Sequence, residues 1–151
     1  MSGPLARRPS AVLFSCSFNA VRSPMAEGLL RLYFGREMYV ASAGVKEGEP
    51  DPFAIAAMEE IGVDITKHKP HTFEDLEDTS FDLIITLSPE AHHKALEFTR
   101  TLACDVIYWP TIDPTAVEGT RERKLDAYRD VRDGLAKRIK ALLDYRPMGA
   151  V

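Results

Sequence analysis

The chain has 151 residues, a formal net charge of −4 and 45% hydrophobic content, enough for one domain around one buried core. Its acidic balance argues against nucleic acid, whose recognition asks for a basic stripe. No apolar run approaches the roughly 18 residues of a membrane span, and with no separate signal-type segment before Ala11–Phe14 a cytoplasmic location is expected.

Residues 1–9 read as a flexible tail, 10–146 as a single domain and 147–151 as a C-terminal tail. Ser10–Ser15 reads as a buried strand carrying Ala11, Val12, Leu13 and Phe14. It runs into Cys16-Ser17-Phe18-Asn19-Ala20-Val21-Arg22-Ser23, a loop leading into a helix. Such a loop suits a tetrahedral oxyanion. Backbone N–H groups gather there, the planar guanidinium of Arg22 can fork two oxygens, and Cys16 can attack from the base. A helix N-terminus and a nearby Arg also favour the thiolate. A cysteine ending an apolar strand is more commonly a small buried hydrophobe, but the order strand, loop, helix is the one anion binding requires.

Ser23-Pro24 reads as a helix start, with Ser23 as N-cap and Pro24 in the first turn. The Ser23 hydroxyl could instead stabilise the Cys16 thiolate. Met25, Leu29, Leu30, Leu32 and Tyr33 supply the apolar face. Asn19 suits a left-handed backbone and can tie the loop to itself, with Ser42 as a supporting partner. Met38–Ala43 reads as a second strand closed by Gly44, and Asp51-Pro52 as the cap of a helix reaching Ile61. Residues 63–80 look irregular, apart from a short helix around Phe73–Leu76. Phe81–Leu87 reads as a third strand, and Ser88-Pro89 opens a helix towards Arg100.

Asp105–Trp109 is the fourth predicted strand, 110–120 a loop, and Arg121–Tyr145 a helix with Leu125, Tyr128, Val131, Leu135, Ile139 and Leu142 on one stripe. The alternation predicts a three-layer α/β fold with a four-stranded parallel sheet, its ligand site beyond the carboxyl ends of the strands. Cys104 opens the fourth strand, a strand length away from Cys16, so the two cysteines are not expected to pair. Cys104 is expected in the core. His68, His71, His92 and His93 show no ligand-like pattern, so no metal is expected, and His92 and His93 read as surface histidines.

A nucleophile that displaces an alkoxide from phosphorus needs a general acid. Asp113-Pro114 lies on the loop leaving the same sheet edge as Cys16. Asp before Pro is also an ordinary cap pair, yet a carboxyl facing a phosphate dianion keeps a proton to donate. Asp113 is therefore the candidate acid.

The segments Val12–Cys16, Asn19, Arg22-Ser23-Pro24-Met25-Ala26-Glu27, Ser42-Ala43-Gly44 and the late Asp113-Pro114 resemble the low-molecular-weight protein tyrosine phosphatases and the thioredoxin-linked arsenate reductases on the same scaffold. The likeness runs over about residues 10–145. It implies a flavodoxin-like phosphatase fold, a phosphocysteine on Cys16, phosphoryl binding by Arg22 and the 17–23 loop, protonation of the leaving group by Asp113, and no cofactor. Substrates would be phosphotyrosine proteins, with small aryl phosphates as surrogates. Phe18 stands where the phosphatases usually carry Gly, and Val21 where they often carry a second Cys, so Phe18 is expected to shift the loop or wall the pocket mouth. Thr115-Ala116 replaces an aromatic pair. Alternative expectations are an arsenate reductase resolved by an external thiol, since residues 86–98 hold no cysteine, or a catalytically weak oxyanion-binding regulator.

Overall fold

Four short apolar runs form the sheet: β1 (Ala11–Cys16), β2 (Tyr39–Gly44), β3 (Leu83–Thr86) and β4 (Asp105–Tyr108), all parallel, in the order β2-β1-β3-β4. The helices are α1 (Arg22–Phe34), α2 (Pro52–Glu59), α3 (Pro89–Phe98) and α4 (Arg121–Leu142), with 3-10 turns at Phe73–Asp75 and Pro114–Ala116. This computed structural model describes residue 5 and residues 7–146; residues 1–4, 6 and 147–151, which include the expected C-terminal tail, lie outside the described residues. The three-layer α/β architecture is the expected one. Because β1 sends the chain to β2 on one side and pairs with β3 on the other, strand order reverses at β1. The loop after Cys16 leaves from that switch point, where open parallel sheets leave a crevice.

Alternation along the strands divides the core in two. Val12, Phe14 and Cys16 pack with Met25, Leu29, Leu30, Ala54, Met58 and the whole predicted stripe of α4. Leu13, Ala43 and Ile84 face the other way, towards Phe73, Phe81 and Ala95. Within α1 the buried face is Met25, Ala26, Leu29, Leu30 and Phe34, while Leu32, expected on it, is half-exposed. That helix begins at Arg22 with Val21 at its N-cap and no side-chain cap, so Ser23 is not the cap it was expected to be. A missing cap costs about 1 kcal/mol, whereas each large apolar side chain buried contributes about 2 kcal/mol. Packing holds α1.

The predicted caps elsewhere are present. Asp51 accepts from Phe53 N and Ala54 N to start α2, and Ser88 accepts from Ala91 N to start α3. Part of the stretch expected as an N-terminal tail makes contacts: Leu5 N donates to Leu142 O at 2.8 Å, and Arg8 pairs with Glu37 at 2.6 Å. His92 is not a free surface group. Its ring stacks on Tyr108 at 4.6 Å and meets Thr86 Oγ1 at 3.0 Å, because Thr86 and Tyr108 are register partners on adjacent strands. His93 is exposed and pairs with Glu97.

Candidate active site

The loop after β1 is built by using up its carbonyls. Cys16 O and Ser17 O both accept from Val45 N, Ser17 O also accepts from Lys46 N, and Phe18 O accepts from Gly48 N at 3.0 Å. The Asn19 carbonyl meets His68 Nε2 at 3.0 Å. With those acceptors taken from outside, the N–H groups of residues 17–21 donate to nothing among the described residues. They are the donors an oxyanion would use. Asn19 makes the turn possible with φ of 54°, a left-handed conformation that Asn tolerates better than most residues. Gly44 lets the loop lie on β2, since a Cβ there would sit 2.8 Å from Asn19 N.

A buried polar chain sets the protonation pattern around the thiol. His71 N donates to Asn19 Oδ1 at 3.1 Å, which fixes the amide so that its Nδ2 donates to Ser23 Oγ and to Ser42 Oγ, both at 2.9 Å. The Ser23 hydroxyl, already accepting, has its own proton left for Cys16 Sγ, 2.9 Å away. Ser23 N lies 3.4 Å from the same sulfur. The Ser42 hydroxyl likewise donates to Glu27 Oε1. The Ser23 hydroxyl and the Ser23 N–H thus both lie against the Cys16 sulfur. Of the two readings of Ser23, the bond to the thiol is the one present.

Arg22 is buried, and its Nη1 donates to Thr111 O at 2.9 Å and reaches Leu87 O at 3.5 Å. The guanidinium therefore joins the cysteine loop to the segment after β4, which carries Asp113. Asp113 Oδ1 accepts from Thr115 N and Thr115 Oγ1, so it caps the turn at Pro114 with one oxygen and keeps the other available. The cap and the acid were set against each other in the sequence; one carboxyl has an oxygen for each. Cys16, Phe18, Ala20, Val21, Arg22, Gly48, Glu49, Asp51, Asp113 and Thr115 line one hollow of about 300 Å³. Larger hollows of about 800 and 700 Å³ run beside α1 and hold no thiol. Ser17 turns its hydroxyl to Ser88 Oγ at 3.0 Å, while its N–H stays among the undonated loop amides. Among the described residues no group of three or more His, Cys, Asp or Glu is placed to hold a metal, and no helix is long and apolar enough to cross a membrane.

Several supporting residues escaped the sequence reading. Glu27 and His68 carry the chain behind Asn19, and Thr111 holds Arg22. Asp51, read only as a cap, also lines the hollow and accepts from Tyr128 OH at 2.7 Å. Burial and that carboxylate push the Tyr128 phenol up, so it remains a donor. The one available signal was Glu27 itself, a carboxylate between Ala26 and Leu30 on the buried face of α1. Cys104 is a free, partly buried thiol at the start of β4, about five residues, or roughly 17 Å, along the strands from the level of Cys16. Burial, then Asp105 and Asp82, push it up to about 11.

His68 gives the site a pH signature. Burial pushes its pKa below the ordinary 6.5, against the opposing pull of the Asn19 carbonyl and the Glu27 carboxylate. The folded state therefore prefers neutral His68, while the unfolded chain binds a proton near the ordinary value. The stability this contributes is complete above pH 6.5 and drains away as pH falls through the lowered folded value. Thermal unfolding midpoints are expected to fall between about pH 7 and pH 5, with a shallower slope in His68→Gln, which retains a donor for Asn19 O. Identical slopes in the two proteins would assign the acid sensitivity to other groups.

A thiol, a buried arginine and a carboxyl lining one hollow beside an amide-rich loop, at the switch point of a four-stranded parallel sheet, are the groups a cysteine-based oxyanion site on an α/β scaffold would use. The family described as low molecular weight phosphotyrosine protein phosphatase matches residues 11–146, and the chain belongs to it. It is 35% identical over 133 residues to an arsenate reductase of Halalkalibacterium halodurans, covering 88% of this chain and 94% of that one. To the arsenate reductase of Bacillus subtilis it is 33% identical, over 85% and 91% of the two chains. A solved arsenate reductase from Archaeoglobus fulgidus superposes with a TM-score of 0.69 at 27% identity, over 88% of this chain and 98% of that one. A tyrosine phosphatase from Erwinia amylovora shares the fold, with a TM-score of 0.73 at 20% identity, over 95% and 97%.

Proposed function

We propose that this chain is an enzyme that attacks tetrahedral oxyanions through Cys16, and that phosphomonoester hydrolysis is the reaction its geometry supports best. The observation that carries this reading is the placing of Asp113 in the same hollow as Cys16 and Arg22. In the first step the Cys16 sulfur bonds to phosphorus as the P–O ester bond breaks, and Asp113 gives its proton to the departing oxygen. In the second, water attacks phosphorus, returns a proton to Asp113 and releases phosphate from Cys16. Hydrolysis asks for no second thiol. A phosphotyrosine protein, with small aryl phosphates as surrogates, is the substrate class proposed.

The names of the relatives favour a second reading, arsenate reduction. Here the arsenylated Cys16 would need an external thiol, which forms a disulfide with Cys16 as arsenic(V) leaves as arsenic(III). Cys104 is at the opposite end of its strand and is poorly disposed to ionise. One experiment separates the readings: steady-state hydrolysis of an aryl phosphate measured beside arsenate-dependent oxidation of added glutathione. Hydrolysis without thiol oxidation supports the first, thiol oxidation without hydrolysis the second, and neither would leave an oxyanion-binding protein. Within the hydrolytic reading, Asp113→Asn keeps an oxygen for Thr115 but has no proton to give. It is expected to slow poor leaving groups by roughly 10²–10⁴-fold, to spare good ones, and to leave thermal stability unchanged. Wild-type rates on high-pKa alkyl phosphates would make Asp113 a cap alone.

A further inference from the structure

Phe18 is the one aromatic side chain lining the Cys16 hollow, and half of it is open to solvent, at 50% exposure. It takes part in none of the aromatic pairs among the described residues. An exposed aromatic residue is unremarkable on an open surface, but this one shares a hollow with a cysteine that is 2% exposed. Its backbone is fixed. Phe18 O accepts from Gly48 N at 3.0 Å, and a Cβ on Gly48 would come within 2.9 Å of the Phe18 Cβ and 3.1 Å of its carbonyl oxygen. Gly48 thus leaves room for the Phe18 backbone and Cβ to lie against it. Phe18 is not among the residues with positive φ, so its side chain carries none of the strain that would call for glycine there.

Phe18 and Cys16 line the same hollow, together with Asp113 and Thr115, neither of them aromatic. A volume of about 300 Å³ is at the lower end for small-ligand sites, with room for a phosphoryl group and about one ring.

We infer that Phe18, held by Gly48, is the specificity-determining wall of the site: a ring against which the flat aromatic leaving group of a phosphoester stacks. This rests on the hydrolytic reading, and it turns the expected obstruction at position 18 into a source of affinity. Offset or edge-to-face aromatic contacts add selectivity beyond simple burial. Alkyl phosphates, which present no ring face, gain nothing from it.

The test is made by binding as well as by turnover, with non-hydrolysable probes. Calorimetry with benzylphosphonate and methylphosphonate gives an affinity ratio for wild type, Phe18→Ala and Phe18→Tyr. Wild type is expected to prefer the benzyl compound by about three- to tenfold. Phe18→Ala should bring the ratio close to one, and Phe18→Tyr, which keeps a ring, should restore it. A ratio near one in wild type, an unchanged ratio in Phe18→Ala, or no recovery in Phe18→Tyr overturns the inference. Hydrolysis of phenyl phosphate is followed in the same three proteins. If wild type shows the ring-dependent ratio but hydrolyses nothing, the hydrolytic reading falls while the wall stands; if it hydrolyses phenyl phosphate with no ring-dependent ratio, the wall falls alone.

Discussion

Cys16→Ser is expected to lose turnover by on the order of 10⁴-fold or more, as removal of a nucleophile does elsewhere, while still binding inorganic phosphate. Two groups lie against the sulfur, Ser23 Oγ at 2.9 Å and Ser23 N at 3.4 Å. They hold the sulfur in place at the base of the loop. A serine hydroxyl in the same place accepts those bonds without giving up its proton, so it is a poor nucleophile. The loop amides and Arg22 are untouched, and phosphate affinity by calorimetry should stay within a fewfold of wild type. Retention of a tenth or more of the wild-type rate would remove Cys16 as the attacking group.

Arg22→Lys should be nearly as damaging, with kcat/KM down by roughly a hundred- to a thousandfold, the scale of losing one charge-stabilising donor set. One guanidinium nitrogen is already committed to Thr111 O at 2.9 Å. Because the group is planar and delocalised, the others can hold an oxyanion while that tether stays made. An ammonium offers three donors at a single point, so it either keeps Thr111 or reaches the anion. Phosphate affinity and turnover are therefore expected to fall together in Arg22→Lys. Near-normal values of both would undo the assignment of Arg22 to the oxyanion.

The parts of this site that were legible in the sequence are those whose cause is local. The apolar runs of β1 and β3, the caps Asp51 and Ser88, the stripe of α4 and the left-handed Asn19 follow from neighbouring residues, and the spacing of Cys16 and Arg22 follows from the loop they share. Ser23 was read as a cap because Ser before Pro is good capping chemistry. Its hydroxyl is instead spent on Cys16 and Asn19, and the helix starts two residues earlier, at Arg22. The supports that went unread act across long separations: His68 on Asn19, Thr111 on Arg22, and Tyr128 on Asp51, which are 49, 89 and 77 residues apart. Nothing near Phe18 announced that Gly48 would make room for it. His92 was misplaced for a similar reason, since its stack on Tyr108 depends on the register between β3 and β4.

The bond from Arg22 to Thr111 also dates the site within the life of the chain. As the polypeptide leaves the ribosome, the cysteine loop, α1 and β2 emerge early, and their mutual contacts are short in sequence. The carbonyl that holds the guanidinium is made 89 residues after it, beyond β4, so an earlier nascent chain carries the thiol without its finished cradle. Contacts of such separation carry a high loop-closure cost and tend to form late. The Arg22 tether and completion of the fold are thereby linked: the guanidinium is fixed beside the cysteine loop only when the last strand has docked.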